Sequence, residues 1–185
     1  MPGFLRSAGA RIGAFAVLGI GAGLLAGVVW WALVDLPVYQ IQPDSTAITG
    51  ERDLARFIAG DAWFCVIGAV VGLALGALGW RYLRPLGWPL VVIVAAVAMA
   101  AGLVCWAVGY QLGPGEFERR LATARPGDLV PIDLTVRAYA SLVVWPFLAV
   151  VPVLLGSSLS GDAEDASPVT RQSAQTVLPW RGPDR

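Results

Sequence analysis

Four long runs of this chain contain no Asp, Glu, Lys or Arg: Ile12 to Val34, Ala62 to Trp80, Leu86 to Leu112 and Ala138 to Leu159. Each approaches or exceeds the roughly 20 residues that a helix needs to cross a hydrocarbon core of about 30 Å. None has the polar face that a helix of a soluble bundle keeps toward water. None alternates in the way a membrane strand does, and an open strand would leave its peptide groups unpaired in lipid. The runs therefore predict an all-α membrane protein. Residues 1–160 are expected to form a four-helix transmembrane domain of two hairpins, with short external helices, and residues 161–185 an unstructured cytoplasmic tail.

Composition agrees. Hydrophobic residues make up 57% of the 185 and charged residues 14%, against about 25% charged in a soluble domain. Thirteen basic residues, all arginine, balance thirteen acidic ones. A neutral chain without a basic cluster gives no reason to expect nucleic acid as a partner. Histidine is absent, which removes the common near-neutral proton carrier and metal ligand. The first run has too long an apolar core for a signal peptide and is expected to be retained as a helix.

The arginines set the expected orientation. Arg6 and Arg11 precede the first span, and Arg81 and Arg84 lie in the short turn between the second and third. The first long loop holds Arg52 and Arg56 against Asp35, Asp44, Glu51, Asp53 and Asp61. The positive-inside rule places both termini and the short turn in the cytoplasm, although Arg119, Arg120, Arg125 and Arg137 in the second long loop oppose it. The expected location is the cytoplasmic (inner) membrane.

Trp30, Trp31, Trp63, Trp80, Trp88 and Trp106 fall near span ends, where indole rings suit the headgroup region. Pro146 and Pro152 each remove a helical hydrogen bond and predict a kinked fourth span. Glu51 to Ile58 reads as a helix that runs into the second span, with Thr49 as its cap. Glu116 to Ala124 reads as a second external helix after the break at Gly113-Pro114-Gly115. Asp133 is the expected cap of the fourth span.

Gly19, Gly23 and Gly27, and again Gly68, Gly72 and Gly76, recur every fourth residue. Each set makes a smooth stripe along which a second backbone can approach. The simplest assignment packs the first two spans on each other; the alternative uses one stripe for a homo-oligomer or a membrane-protein partner.

Asp61 and Arg137 are the charges nearest the external ends of the second and fourth spans; they could meet across the bundle or each snorkel into the headgroups. Such a pair serves either a polar ligand at the outer mouth or the structure itself; the structural reading is preferred. Cys65 and Cys105 lie at similar depth in the second and third spans. They are read either as a disulfide or, preferentially, as two small apolar side chains. The residues hold no nucleophile–histidine pair, phosphate loop or metal-ligand spacing, so no catalytic residue, cofactor or metal is assigned.

One stretch carries a family resemblance: Phe57-Ile58-Ala59-Gly60-Asp61-Ala62-Trp63-Phe64-Cys65-Val66-Ile67-Gly68, continuing to Gly72, Gly76 and Trp80. It resembles an actinobacterial family of small multi-span membrane proteins that is known only as a domain of unknown function. Members place an Asp and a Phe before a glycine-rich span that ends in Trp and Arg; the matching positions are Asp61, Phe64 and Trp80-Arg81. Gly113-Pro114-Gly115 and Trp145-Pro146 are similar too, and the likeness covers residues 12 to 156. Ala62-Trp63 replaces the family's small residue beside the Asp. The resemblance implies a membrane location and no established activity.

The functional expectation is a non-enzymatic accessory or structural membrane protein, in contact with the bilayer and with a membrane-protein partner or further copies of itself. The alternatives are a small-solute or lipid transporter or channel, and an enzyme acting on an envelope lipid.

Overall fold

The computed structural model describes residues 2–41, 47–48 and 51–165, with side chains for residues 8–41, 56 and 58–159. The chain is mostly helical. Helix α1 is Pro2–Leu33, α2 is Glu51–Leu83 and α3 is Pro89–Leu112. Short α4 is Phe117–Thr123, and α5 is Val144–Asp165. Four helical segments are long and apolar enough to cross a membrane: Ala8–Leu33, Ile58–Leu86, Pro89–Thr123 and Tyr139–Leu159. Thr49, the expected cap of α2, and residues 166–185 of the tail lie outside the described residues.

The chain divides into two units, Met1–Val153 and Leu154–Arg185. In the second, the described residues are helical, and the Ser157 and Ser158 hydroxyls donate to the Leu154 carbonyl at 2.9 and 3.0 Å. The helix thus runs on to Asp165, into the stretch expected to be unstructured.

Within the first unit the glycine stripes do not meet each other, as the simplest sequence assignment had them. The α1 stripe packs on α3, and the α2 stripe on α5. A Cβ at Gly23 would fall 2.5 Å from the Ala101 carbonyl oxygen, and one at Gly27 would fall 2.8 Å from that of Cys105. A Cβ at Gly72 would fall 2.6 Å from the Trp145 carbonyl oxygen, and one at Gly76 would run into the Ala149 carbonyl. The physical reason is partner shape. Ala101 and Ala149 are fully buried small residues opposite these glycines, so backbones on both sides approach closely.

Large aromatic rings fill the space between the pairs. Trp30 of α1, Phe64 of α2 and Trp145 of α5 are completely buried. Phe64 meets Trp30 edge-on at 5.2 Å and Trp145 at 5.5 Å between centroids. Gly109 and Gly102 of α3 leave room for the Trp30 and Trp145 rings. Trp30 is therefore a core residue and not a headgroup anchor, and its indole N–H donates to the Gly60 carbonyl at 2.9 Å. Outward faces are apolar instead, with Val17, Leu25, Val70, Val92 and Phe147 more than half exposed. Large exposed apolar faces are unusual in water and ordinary against lipid.

The fourth span begins as a 3-10 turn, Tyr139–Val143, before α5. Pro146 is the third residue of α5, directly after that 3-10 turn, and Pro152 is the proline inside the helix.

The two long loops contain a small antiparallel sheet that sequence reasoning did not anticipate. Strands β1 (Val38–Ile41), β2 (Ala47–Ile48) and β3 (Leu129–Pro131) lie in the order β2-β1-β3. Tyr39 pairs with Val130, and Gln40 pairs with both Leu129 and Ile48. Arg125-Pro126-Gly127-Asp128 turns the chain into β3, with Gly127 at φ 96° and the Asp128 N–H donating to the Arg125 carbonyl at 3.0 Å. Helix α4 lies against this sheet through Phe117, whose ring is 5.6 Å from that of Tyr39.

Candidate functional site

Asp61 lies against the main chain of Arg137, and its carboxylate bonds N–H groups there. One Asp61 carboxylate oxygen accepts the Arg137 N–H at 3.1 Å, and the other accepts the Ala138 N–H at 2.9 Å. These are the two N–H groups immediately before the 3-10 turn that opens the fourth span. Near a helix start the backbone presents unpaired donors and a positive dipole end, so a carboxylate is stabilising there. The cap comes from α2, which lies directly against this turn but 76 residues away in sequence. Asp133, the expected local cap, instead accepts from the Arg120 guanidinium at 3.2 Å.

Asp61 stands at the rim of an open groove of about 750 Å³, lined with it by Cys65, Arg137, Ala138, Ser141 and Val144. The Ser141 hydroxyl donates to the Ala138 carbonyl at 2.7 Å, closing the same turn that Asp61 caps. Arg137 is likewise engaged. The polar groups of the groove therefore hold one another.

Cys65 and Cys105 are free thiols and form no disulfide. Cys105 is buried in the core, its carbonyl against Gly27, whereas Cys65 lines the groove beside Asp61. Among the described residues no group of three or more Cys, Asp or Glu side chains is placed to hold a metal.

A second polar centre was missed by sequence reasoning. Arg120 of α4 donates from Nε to the Gly115 carbonyl at 2.9 Å and from Nη1 to that of Pro131 at 2.8 Å. Its Nη2 donates to the Pro114 carbonyl at 2.7 Å and to Asp133. The planar five-donor fork of arginine suits such a cluster of carbonyls. It ties the exit of α3, helix α4 and strand β3 into one cap. Arg119, its neighbour, makes only an exposed pair with Glu116 at 3.3 Å. Spacing along the sequence does not separate the two arginines. Neighbouring Pro114 and Pro131, which lack N–H groups but keep carbonyls, are the available hint.

Trp145 presents the opposite case. Its ring is fully buried between Gly68 and Gly102, and its indole N–H has no partner. An unpaired buried donor costs about 1–3 kcal/mol. The ring's contacts with α2, α3 and Phe64 hold it there.

Comparison with family models, with curated proteins and with solved structures gives no significant match for this chain.

Proposed function

We propose that this chain is a non-catalytic accessory protein of the cytoplasmic membrane, which carries a rigid external cap on a sealed four-helix core and offers that cap to a membrane-protein partner. In this reading the helices run as two hairpins, α1–α2 and α3–α5, with both termini cytoplasmic and the sheet and α4 outside. The observation that carries it is the use of the polar residues. Asp61, Ser141, Arg120 and Asp133 are bonded to the chain's own backbone or to one another, so they build a platform. The glycine stripes are occupied inside one chain, which directs partner contact to the cap. A transport path would need a polar way between the helices, where Trp30, Phe64 and Trp145 are packed.

Crosslinking in native membranes, followed by mass spectrometry, tests the proposal. The expected result is a recurrent membrane-protein partner joined through residues 117–131. Repeated recovery of an uncrosslinked lone chain, or crosslinks confined to the membrane core, would overturn it.

A further inference from the structure

The seam between α1 and α2 carries two clefts at successive depths. The first, about 470 Å³, has Arg11 on one wall and Arg81 and Tyr82 on the other, with Phe15 and Leu18 extending it along α1. The second, about 400 Å³, is apolar throughout and begins with Ala22 on α1 and Val71 on α2. Leu18 and Ala22 are one helical turn apart, so along α1 the second cleft follows the first.

Charge singles out the first cleft. The sequence has no acidic residue before Asp35 and none between Asp61 and Glu116. Among the described residues neither the Arg11 nor the Arg81 guanidinium has an ion-pair partner. Both are exposed, as is Tyr82. Arg84, one turn from Arg81, lies 5.2 Å over the Trp80 ring and is directed elsewhere. Along α1, Arg11 and Ala22 are separated by about 16 Å at 1.5 Å per residue. That matches one leaflet, half of a hydrocarbon core of about 30 Å.

We propose that the α1–α2 groove seats one anionic phospholipid of the bilayer, its phosphate between Arg11 and Arg81 and one acyl chain lying over Phe15 and Leu18 toward Ala22. Guanidinium groups suit phosphate in charge and geometry, and Tyr82 supplies a hydroxyl at headgroup level. The inference is independent of the partner proposed above.

Native mass spectrometry of the full chain in mild detergent tests it, with phosphatidylglycerol and phosphatidylcholine of identical acyl chains as probes. The expected result is preferential retention of a single phosphatidylglycerol. Each arginine near an anionic membrane surface contributes roughly fivefold in affinity, so Arg11→Gln with Arg81→Gln should lower that preference about 25-fold. Equal retention of the two lipids by the unaltered chain, or an unchanged preference in the double variant, would overturn the site. If the double variant does not fold, a photo-crosslinking residue in place of Tyr82 in native membranes decides. A phospholipid adduct supports the proposal, and a protein adduct overturns it.

Discussion

The Asp61 carboxylate accepts the main-chain N–H of Ala138 at 2.9 Å, so a side chain of the second span caps the entry to the fourth. Its other oxygen holds the N–H of Arg137. Asp61→Asn keeps one acceptor and should cost about 1 kcal/mol; Asp61→Leu leaves both donors to water and should cost about 1–2 kcal/mol. Thermal unfolding in detergent measures the costs. Hydrogen exchange should show the loss of protection at Ala138.

The glycines should divide sharply. Gly23→Ala and Gly76→Ala place a methyl against the backbone of α3 or α5, which no rotamer change relieves, and each should destabilise by about 1–3 kcal/mol. Gly13→Ala and Gly21→Ala meet nothing within 4 Å and should be neutral or mildly stabilising. Gly19→Ala should fall between, because its neighbour is the Val97 side chain. Melting temperatures of the five variants check the ranking.

Arg120→Ala should loosen the cap by about 2–3 kcal/mol, since a charged fork bonded to Gly115, Pro131, Pro114 and Asp133 is lost. Arg120→Lys should rescue little of it, because an ammonium cannot reproduce the fork. Arg119→Ala, removing an exposed pair, should change stability by less than about 0.5 kcal/mol. Limited proteolysis between α3 and α5 would read all three.

The two buried indoles should respond differently to the loss of their N–H. Trp30→Phe removes a bonded donor and Trp145→Phe an unbonded one, so the second should cost less, by about 1–2 kcal/mol. Equal losses in a denaturation series would show that ring volume alone matters at both positions.

The four long apolar helices were legible because length and the absence of charge suffice to mark them. Partner choice was not. Gly23 and Gly72 advertise a close contact, but the residues that receive them, Ala101 and the Trp145 backbone, have no signature in one sequence. Six tryptophans near span ends read alike, yet Trp88 is 82% exposed and Trp30 fully buried. Burial depends on what the facing helix leaves open, here Gly109. The extended segment that runs through β3 and beyond it did have a signal. Val130, Ile132, Leu134 and Val136 are buried and alternate with the more exposed Pro131, Asp133 and Thr135, the period of an extended chain with one face inward. That Asp61 could reach Arg137 followed from their positions at the span ends. That the carboxylate takes main-chain donors depends on the 3-10 turn at Tyr139, which apolar patterning does not encode.

The claim on which everything else rests is a core that crosses the bilayer four times, with the cap on one side and the α2–α3 turn on the other. Single cysteines introduced by Ala122→Cys in α4 or Trp88→Cys in that turn, each with Cys65→Ser and Cys105→Ser, can be probed in intact cells with a membrane-impermeant maleimide. Position 122 should label at once, and position 88 only after the membrane is opened. Labelling of both positions from the same side would contradict the fold, and labelling of position 88 alone would reverse the orientation.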